Sequence, residues 1–176
     1  MPTSPAQLLQ RLDSLGISYR FYEHEAVFTV AQSQRVDREI PGVHCRNLFL
    51  RDKKKAMFLV VAAHETAIDL KKLAPLIGGD RLSFGSPERL WEHLGVRPGS
   101  VCPYAIINDT AQAVTVILDA HMMAGEIVNY HPLINTMTIG VAPDDLIKFI
   151  RSCGHEPRIV DLTPASPDNV APDDKE

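Results

Sequence analysis

NLFLRDKKKAMFLVVA, residues 47–62, contains two apolar runs separated by a charged segment. The runs at 47–50 and 57–62 have the length and composition of strands, and the polar residues 51–55 between them predict a hairpin turn. Lys53, Lys54 and Lys55 then lie at the tip of that turn. The segment therefore predicts two paired strands with a basic tip.

Further strand signals concentrate in the second half of the chain. Four segments are short, β-branched and separated by Asn, Asp, Gly or Pro, which predicts strands that pair in one sheet. These segments are residues 105–107, 114–118, 127–130 and 136–141. Two more short strands are expected at residues 19–22 and 158–162.

Helical signals are interleaved with the strands. Ser4 and Gly16 are the expected limits of an amphipathic first helix, while Thr29 and Gln32 have the form of a capping box that starts a second. Further helices are predicted at residues 69–77, 86–95 and 143–152. Because the alternation is irregular, the pattern favours a mixed α/β (α+β) fold, a largely antiparallel sheet flanked by helices, over a doubly wound parallel sheet.

Length and composition indicate one globular domain. Of the 176 residues, 1–162 are expected to fold as a unit, and 163–176, rich in Pro and Asp, are expected to be disordered. No segment reaches the roughly 18 apolar residues of a membrane span, and the N-terminus lacks the features of a signal peptide. A cytoplasmic protein without a membrane partner is expected.

Charge and cysteine content narrow the choice of partners. A net charge of -4 and a pI near 6.0 argue against binding DNA or RNA through bulk electrostatics, so any nucleic acid must be held locally. The three cysteines are widely spaced and the seven histidines show no pair at metal-ligand spacing, so neither a disulfide framework nor a metal site is predicted.

Four segments join polar or glycine-bearing residues to predicted strands: HEAVFT at 24–29, CRNLFL at 45–50, GVRPGSVCPY at 95–104 and VNYHPLINTMT at 128–138. Together they resemble the YbaK-like aminoacyl-tRNA editing family over about residues 3–162. The nearest branch is the free-standing Ala-tRNA(Pro) deacylases, which resemble the insertion domain of bacterial prolyl-tRNA synthetases. The resemblance implies the fold of that family and hydrolysis, without a cofactor, of the ester between a wrong amino acid and the terminal adenosine of tRNA.

The resemblance also implies roles for individual residues. A basic residue, usually lysine, precedes Asn-Leu-Phe in the family and holds the phosphate next to the terminal adenosine. Arg46 occupies that position here. Arginine keeps the charge and adds a planar fork suited to phosphate, although the two residues are not interchangeable where geometry is tight. A solvated charge at a strand end is the alternative for Arg46.

The Gly-x-x-x-Pro element of the family corresponds to Gly99, Ser100 and Pro103. Glycine allows the backbone to approach the substrate, and backbone N–H groups can stabilise the oxyanion formed when water attacks the ester. Without the neighbouring motifs, the same residues are an ordinary turn signal.

His131 corresponds to the functional histidine of the family. An imidazole can exchange hydrogen bonds with the attacking water, the substrate amine or the ribose hydroxyl. The 2′-hydroxyl of the substrate can instead activate the water while the protein positions the groups. Asn47 and Asn129 are further candidate hydrogen-bonding partners, and each can alternatively cap a turn.

Pocket size is expected to govern the choice of amino acid, because one methylene changes affinity by only about 1–3 kcal/mol. A synthetase for proline therefore cannot fully reject alanine by binding alone. A second, editing site that admits alanine and excludes proline supplies the missing discrimination. Candidate wall residues, which can equally belong to the core, are Val30, Ile40, Phe49 and Tyr130.

Two other features have competing interpretations. Cys45 and Cys102 lie near the motifs and suggest a thiol nucleophile, but no spacing pairs either with a base, and a buried small side chain is the plainer interpretation. Exposed lysines are candidates for contact with the tRNA acceptor stem or are merely solvated. They are Lys53, Lys54, Lys55, Lys71 and Lys72.

The expected function is therefore trans editing of mischarged Ala-tRNA(Pro), with the acceptor end of that tRNA as partner and docking on prolyl-tRNA synthetase left open. One alternative is an editing hydrolase acting on Cys-tRNA(Pro) or Ser-tRNA. A second is a non-catalytic module that binds tRNA or a synthetase, for which arginine in place of the usual lysine is the motivation.

Overall fold

A computed structural model describes residues 2–26 and 30–162. The strands are β1 (Arg20–Glu23), β2 (Val43–Arg51), β3 (Met57–Ala63), β4 (Ser83–Phe84), β5 (Val114–Asp119), β6 (Val128–Tyr130), β7 (Met137–Val141) and β8 (Arg158–Val160). The α-helices are α1 (Pro5–Ser14), α2 (Val30–Glu39), α3 (Leu70–Ile77), α4 (Pro87–Leu94), α5 (Ala120–Met123) and α6 (Pro143–Ser152). A 3₁₀ helix spans Pro103–Asn108.

The strands form one sheet in the order β1-β7-β6-β2-β3-β5-β8, and β4 pairs with β2 outside this path. The central hairpin of β2 and β3 pairs Cys45 with Ala63 at one end and Arg51 with Met57 at the other. Four of the seven strand pairings in the described residues are antiparallel, and three are parallel. The predicted mixed, largely antiparallel sheet is confirmed.

Both faces of the sheet are covered, because successive side chains of a strand point to opposite sides. On β2, Phe49 joins the larger core, to which α1, α4 and α6 contribute. Its neighbour Leu50 joins a smaller core beneath α3. Odd-numbered residues of β2 therefore face the larger core and even-numbered residues the smaller one.

Local signals place the helix ends where the sequence predicts them. Ser4 and Gln7 form a complete capping box on α1. Gly78 and Gly95 end α3 and α4 in the left-handed conformation, which is easiest for glycine. Ser86 caps the start of α4 by accepting a hydrogen bond from the Arg89 amide.

The strand predicted at residues 105–107 is wrong, because this segment belongs to the 3₁₀ helix Pro103–Asn108. Its apolar residues are buried as a turn of helix against α4 and α6, and a short apolar run does not distinguish the two structures. The structure adds β4 and α5, which carried no clear signal. Thr29 of the predicted capping box and the tail 163–176 lie outside the described residues, and the domain boundary at 162 stays a prediction.

Within residues 2–26 and 30–162, no helix combines the length and the apolar character that crossing a bilayer requires.

Candidate functional site

One edge of β2 is interrupted. The edge pairs in parallel with β6 at Val43 and His44, and pairs with β4 at Leu50 and Arg51. Across residues 45–48, between these pairings, no strand of the described chain is paired to this edge. Residues 45–48, here termed the β2 notch, therefore interrupt the sheet between the end of β6 and the end of β4.

A cleft of about 190 Å³ opens beside the notch. Its lining includes Asn47, Phe49, Phe84, Leu90, Pro98 and Gly99. The volume is below the roughly 300–1,000 Å³ of pockets for drug-sized ligands. The cleft therefore suits a small chemical group.

Asn47 places an unsatisfied acceptor at this cleft. Its side-chain Oδ1 is buried and has no hydrogen-bond partner among the described residues. Leaving such a group unpaired costs on the order of 1–3 kcal/mol. The unpaired oxygen makes Asn47 a candidate for hydrogen bonding to a bound molecule.

Gly99 faces the same cleft from the loop that follows α4. Its φ of 95° lies in the left-handed region, and a Cβ added there meets no atom within 4 Å. The glycine is therefore required by the backbone conformation, and open space remains beside it. Ser100 is half-buried next to it, and Pro103 is buried as the first residue of the 3₁₀ helix.

His131 lies directly after β6 and is half-buried. Its Nδ1 is 2.8 Å from the carbonyl oxygen of Met137. Because a carbonyl can only accept, Nδ1 carries the proton, and Nε2 is the acceptor nitrogen of the neutral ring. The sequence predicted the residue, and the structure adds its tautomer.

His24 packs against His131, with ring centroids 5.9 Å apart. Its Nδ1 is 2.7 Å from the Glu25 carbonyl and its Nε2 is 2.8 Å from the Thr138 hydroxyl. Burial lowers the pKa of His24, and hydrogen bonding to the backbone of Met137 offsets this only in part. A neutral His24 adds no positive charge beside His131. His24 was not predicted to be a site residue, although it is the first residue of the motif at 24–29.

Arg46 is exposed and belongs to the even-numbered face of β2, opposite to Asn47 and Phe49. Its Nη1 donates to the carbonyl of Thr66 at 3.5 Å. The parallel register pairs His44 with Asn129. The same register continued by two residues brings Arg46 beside His131, although formal pairing ends before that point.

The loops that carry Gly99 and His131 are also joined. The backbone of Leu133 forms a hydrogen bond with Cys102, three residues after Gly99. The segments bearing Arg46, Gly99 and His131 therefore border one notch. Asn47, Phe49 and Gly99 share the cleft, whereas the side chain of Arg46 leaves on the other face of the strand.

The other predicted wall residues do not line this cleft. Tyr130 is buried in the larger core, where its ring packs edge-to-face on Tyr104 and its hydroxyl lies 3.1 Å from the Met122 sulfur. Ile40 is also buried, and the side chain of Val30 lies outside the described part of the chain. Of the four candidates, Phe49 alone lines the cleft among the residues whose side chains are described.

Asn129 ties the sheet to the chain before β2. Its Nδ2 donates to the carbonyls of Pro41 and Val43 at 3.1 and 3.2 Å. A Cβ added at Gly42 or Gly140 would collide with the Asn129 side chain. These contacts favour a structural role for Asn129, although its Oδ1 is buried without a partner in the described residues.

A thiol nucleophile requires a lowered pKa. Cys102 is fully buried, and burial raises the pKa of its thiol to about 11. The structure therefore favours the buried-side-chain interpretation of Cys102.

The candidate tRNA lysines lie on two exposed segments. Lys53, Lys54 and Lys55 form the hairpin turn, and Lys71 and Lys72 occupy the first turn of α3. Their contact with tRNA stays a prediction.

Comparison with known proteins identifies the family of the chain. The profile of the aminoacyl-tRNA editing domain matches residues 24–149. The prolyl-tRNA editing protein ProX of Acetoanaerobium sticklandii is 35% identical over 156 residues, covering 88% of this chain and 95% of ProX. Prolyl-tRNA synthetase associated domain-containing protein 1 of Danio rerio is also 35% identical, covering 88% of this chain and 85% of that protein.

A solved structure described as a candidate trans-editing enzyme for prolyl-tRNA synthetase has the same fold. Its TM-score is 0.66 at 19% identity, and the match covers 92% of this chain and 99% of the other. The extent of the profile match and the identity to ProX establish the family. The chain is a member of the aminoacyl-tRNA editing domain family.

Proposed function

We propose that the protein is a trans-editing deacylase that hydrolyses the ester of mischarged Ala-tRNA(Pro). The observation that carries this proposal is the β2 notch, which the segments with Arg46, Gly99 and His131 border, beside a small cleft that Asn47 and Gly99 line. Membership of the editing family and the similarity to ProX support the same function.

The reaction needs water, an activated carbonyl and a leaving hydroxyl. Water attacks the ester carbonyl carbon, the bond to the terminal ribose oxygen breaks, and alanine and the free ribose hydroxyl are released with one proton. Backbone N–H groups of the Gly99 loop are suited to the oxyanion, a contribution that can reach a few kcal/mol. No residue of the chain needs to form a covalent intermediate.

His131 is suited to positioning the reacting groups. The Met137 carbonyl holds the proton on Nδ1, so Nε2 of the neutral ring can accept a hydrogen bond from the water, the ribose hydroxyl or the substrate amine. Asn47 offers its Oδ1 as an acceptor for the amino group of the substrate.

Arg46 is proposed to hold the phosphate next to the terminal adenosine. Its side chain is exposed on the even-numbered face of β2, and a bidentate fork suits phosphate oxygens. Arg46 therefore acts on the nucleotide side of the notch, whereas Asn47 and Gly99 act on the amino-acid side. The opposite directions of their side chains agree with an ester bond placed across the strand edge.

The size of the cleft supports alanine as the preferred amino acid. Phe49 closes one wall, and a Cβ added at Gly85 would collide with its ring at 2.4 Å. A larger amino acid must displace tightly packed side chains, and overpacking costs about 1–3 kcal/mol.

A panel of mischarged tRNAs tests the proposal. Purified protein is incubated with Ala-tRNA(Pro), Pro-tRNA(Pro), Cys-tRNA(Pro) and Ser-tRNA, and release of labelled amino acid is followed. Selective release of alanine is expected. Selective release of cysteine or serine would support the alternative substrates, and no release from any of the four would contradict catalysis.

The non-catalytic alternative is separated by Arg46→Lys. If the parent is inactive and the lysine variant releases alanine, the arginine has abolished turnover in this chain. If the parent is active, the non-catalytic alternative is excluded. The same proposal includes chemistry without a metal or cofactor, a cytoplasmic location and docking on prolyl-tRNA synthetase. Adding EDTA to the panel tests whether the reaction needs a metal.

A further inference from the structure

Trp91 and Arg97 form a stacked pair beside the cleft. The guanidinium carbon of Arg97 lies 3.9 Å from the centroid of the Trp91 ring. Trp91 directly follows Leu90, and Arg97 directly precedes Pro98, and both of those neighbours line the cleft. The pair therefore stands at the border of the proposed amino-acid site.

Phe84 adds a second aromatic ring to this border. It lines the cleft itself and is 66% exposed, while Trp91 is 41% exposed. Single exposed aromatic residues are common. Phe84 therefore presents an exposed ring at the cleft, and the stacked Trp91–Arg97 pair adjoins two of its lining residues in sequence.

Core packing does not explain why a tryptophan occupies position 91. The residues that α4 buries are Leu90 and Leu94, and both belong to the larger core. Trp91 is absent from both cores within the described residues. Its ring is therefore held by Arg97 at the surface, and α4 does not need it for its attachment.

We propose that Trp91, Arg97 and Phe84 form a stacking surface for the unpaired nucleotides that precede the terminal adenosine of tRNA. The inference rests on the proposed function, since it assumes that the aminoacyl ester occupies the adjoining cleft. Unpaired bases stack on aromatic rings and on guanidinium planes, and the Arg97 charge complements the phosphates. Stacking of this kind tolerates any base, so the surface holds the strand without recognising its sequence.

The sequence contains one tryptophan, so intrinsic fluorescence reports on Trp91 directly. The parent is titrated with the RNA trinucleotide CCA, which carries no amino acid, and with an abasic ribose-phosphate trimer. Quenching that saturates with CCA, and is weak with the abasic trimer, is expected. Equal responses to the two trimers, or no response, would overturn base stacking.

Substitutions test which side chains contribute to RNA binding. In a deacylation assay, Trp91→Ala is expected to raise KM at least about five-fold, the lower end of the range for loss of one base–aromatic stack, with kcat changed less. Trp91→Phe is expected to restore most of the affinity, and Arg97→Ala to weaken binding and reduce its salt dependence. Anisotropy of labelled CCA gives the same comparison without tryptophan.

Phe21→Ala is the matched control, because Phe21 is also 41% exposed but lies on β1, at the far end of the sheet order. Its KM should equal that of the parent. If Trp91→Ala matches the parent as well, the stacking surface is wrong while the deacylase proposal stands. If CCA quenches Trp91 but no tRNA is deacylated, the stacking surface stands and the catalytic proposal fails. If Trp91→Ala weakens only binding to prolyl-tRNA synthetase, the surface is a protein interface and the inference is overturned.

Discussion

Asn47 and Asp52 lie five residues apart along the hairpin, and they differ in whether their side-chain oxygens accept hydrogen bonds. The Asp52 carboxylate accepts hydrogen bonds from the amides of Ala56 and Asp80 at 2.8 and 3.1 Å. The Asn47 Oδ1 is buried without a partner in the described residues. The hydrogen bonds of Asp52 are explained by stability, whereas Asn47, which also lines the cleft, is the candidate for binding.

The hairpin turn is organised entirely from within the chain. The amide of Lys53 donates to the Asp80 carbonyl at 2.8 Å, which fixes the turn to the loop after α3. Along one edge of the β2 notch, by contrast, no strand within residues 2–26 and 30–162 is paired. A structure-forming polar group in the turn and a proposed substrate-binding group on β2 thus lie close together in the chain and differ in whether their hydrogen bonds are satisfied.

The largest expected effect in the notch is that of His131→Ala. Loss of a positioned acid–base or orienting group should lower kcat for Ala-tRNA(Pro) by about 10²–10⁴-fold. Single-turnover deacylation measures it. Thermal denaturation provides the control, since a variant that has lost its fold would lose activity for another reason. A kcat within two- to three-fold of the parent, as an order-of-magnitude bound, would remove His131 from the site.

Asn47→Ala and Asp52→Asn should have opposite consequences. Asn47→Ala should lower kcat/KM about ten-fold, since one hydrogen bond to substrate is worth roughly 1 kcal/mol or somewhat more. Its thermal midpoint should be unchanged or higher, because an unpaired buried oxygen is removed. Asp52→Asn should lower the thermal midpoint and leave kcat/KM unchanged well below it. If Asn47→Ala is the less stable variant and retains full activity, the distinction between the two regions is wrong.

The pH dependence of stability sharpens the same contrast. Burial raises the pKa of Asp52, but hydrogen bonds from the backbone amides of Asp80, Ala56 and Lys54 outweigh it and lower the pKa below its ordinary value of 3.8. A depressed folded-state pKa stabilises the protein above the unfolded value, and that stability is lost as the pH falls through the folded value. The parent should therefore lose more stability than Asp52→Asn between about pH 5 and the acid limit. Urea denaturation at several pH values measures the difference.

Cys102→Ala is expected to have only a small effect on catalysis. Its raised pKa keeps the thiol protonated, so activity should stay within about three-fold of the parent, well short of losing a nucleophile. Stability should fall by about 1 kcal/mol, which is typical of a core substitution. Deacylation and urea denaturation test the two parts separately. Abolished activity in a folded variant would restore the thiol mechanism.

Local chemistry accounts for the parts of the fold that were predicted correctly. Ser4, Gly78 and Gly95 act within one helical turn of their positions, so helix ends follow from neighbouring residues. The central hairpin follows from two apolar runs and a short polar turn. The misassigned segment at 105–107 lacks such a local signal, since its apolar residues are buried by the rest of the core whichever structure they adopt.

The sequence alone was sufficient for the helix ends, the hairpin, the class of fold and the motifs that indicate the editing family, because each depends on residues close together in the chain. The order of the strands was not readable in this way. β2 pairs with β6, although the paired residues are more than 80 positions apart in the sequence. This long-range pairing depends on the packing of the whole core, and it creates the β2 notch. The orphaned Asn47 oxygen, the proton on Nδ1 of His131 and the stacking of Arg97 on Trp91 depend on neighbours that come together only when the sheet and its helices have packed.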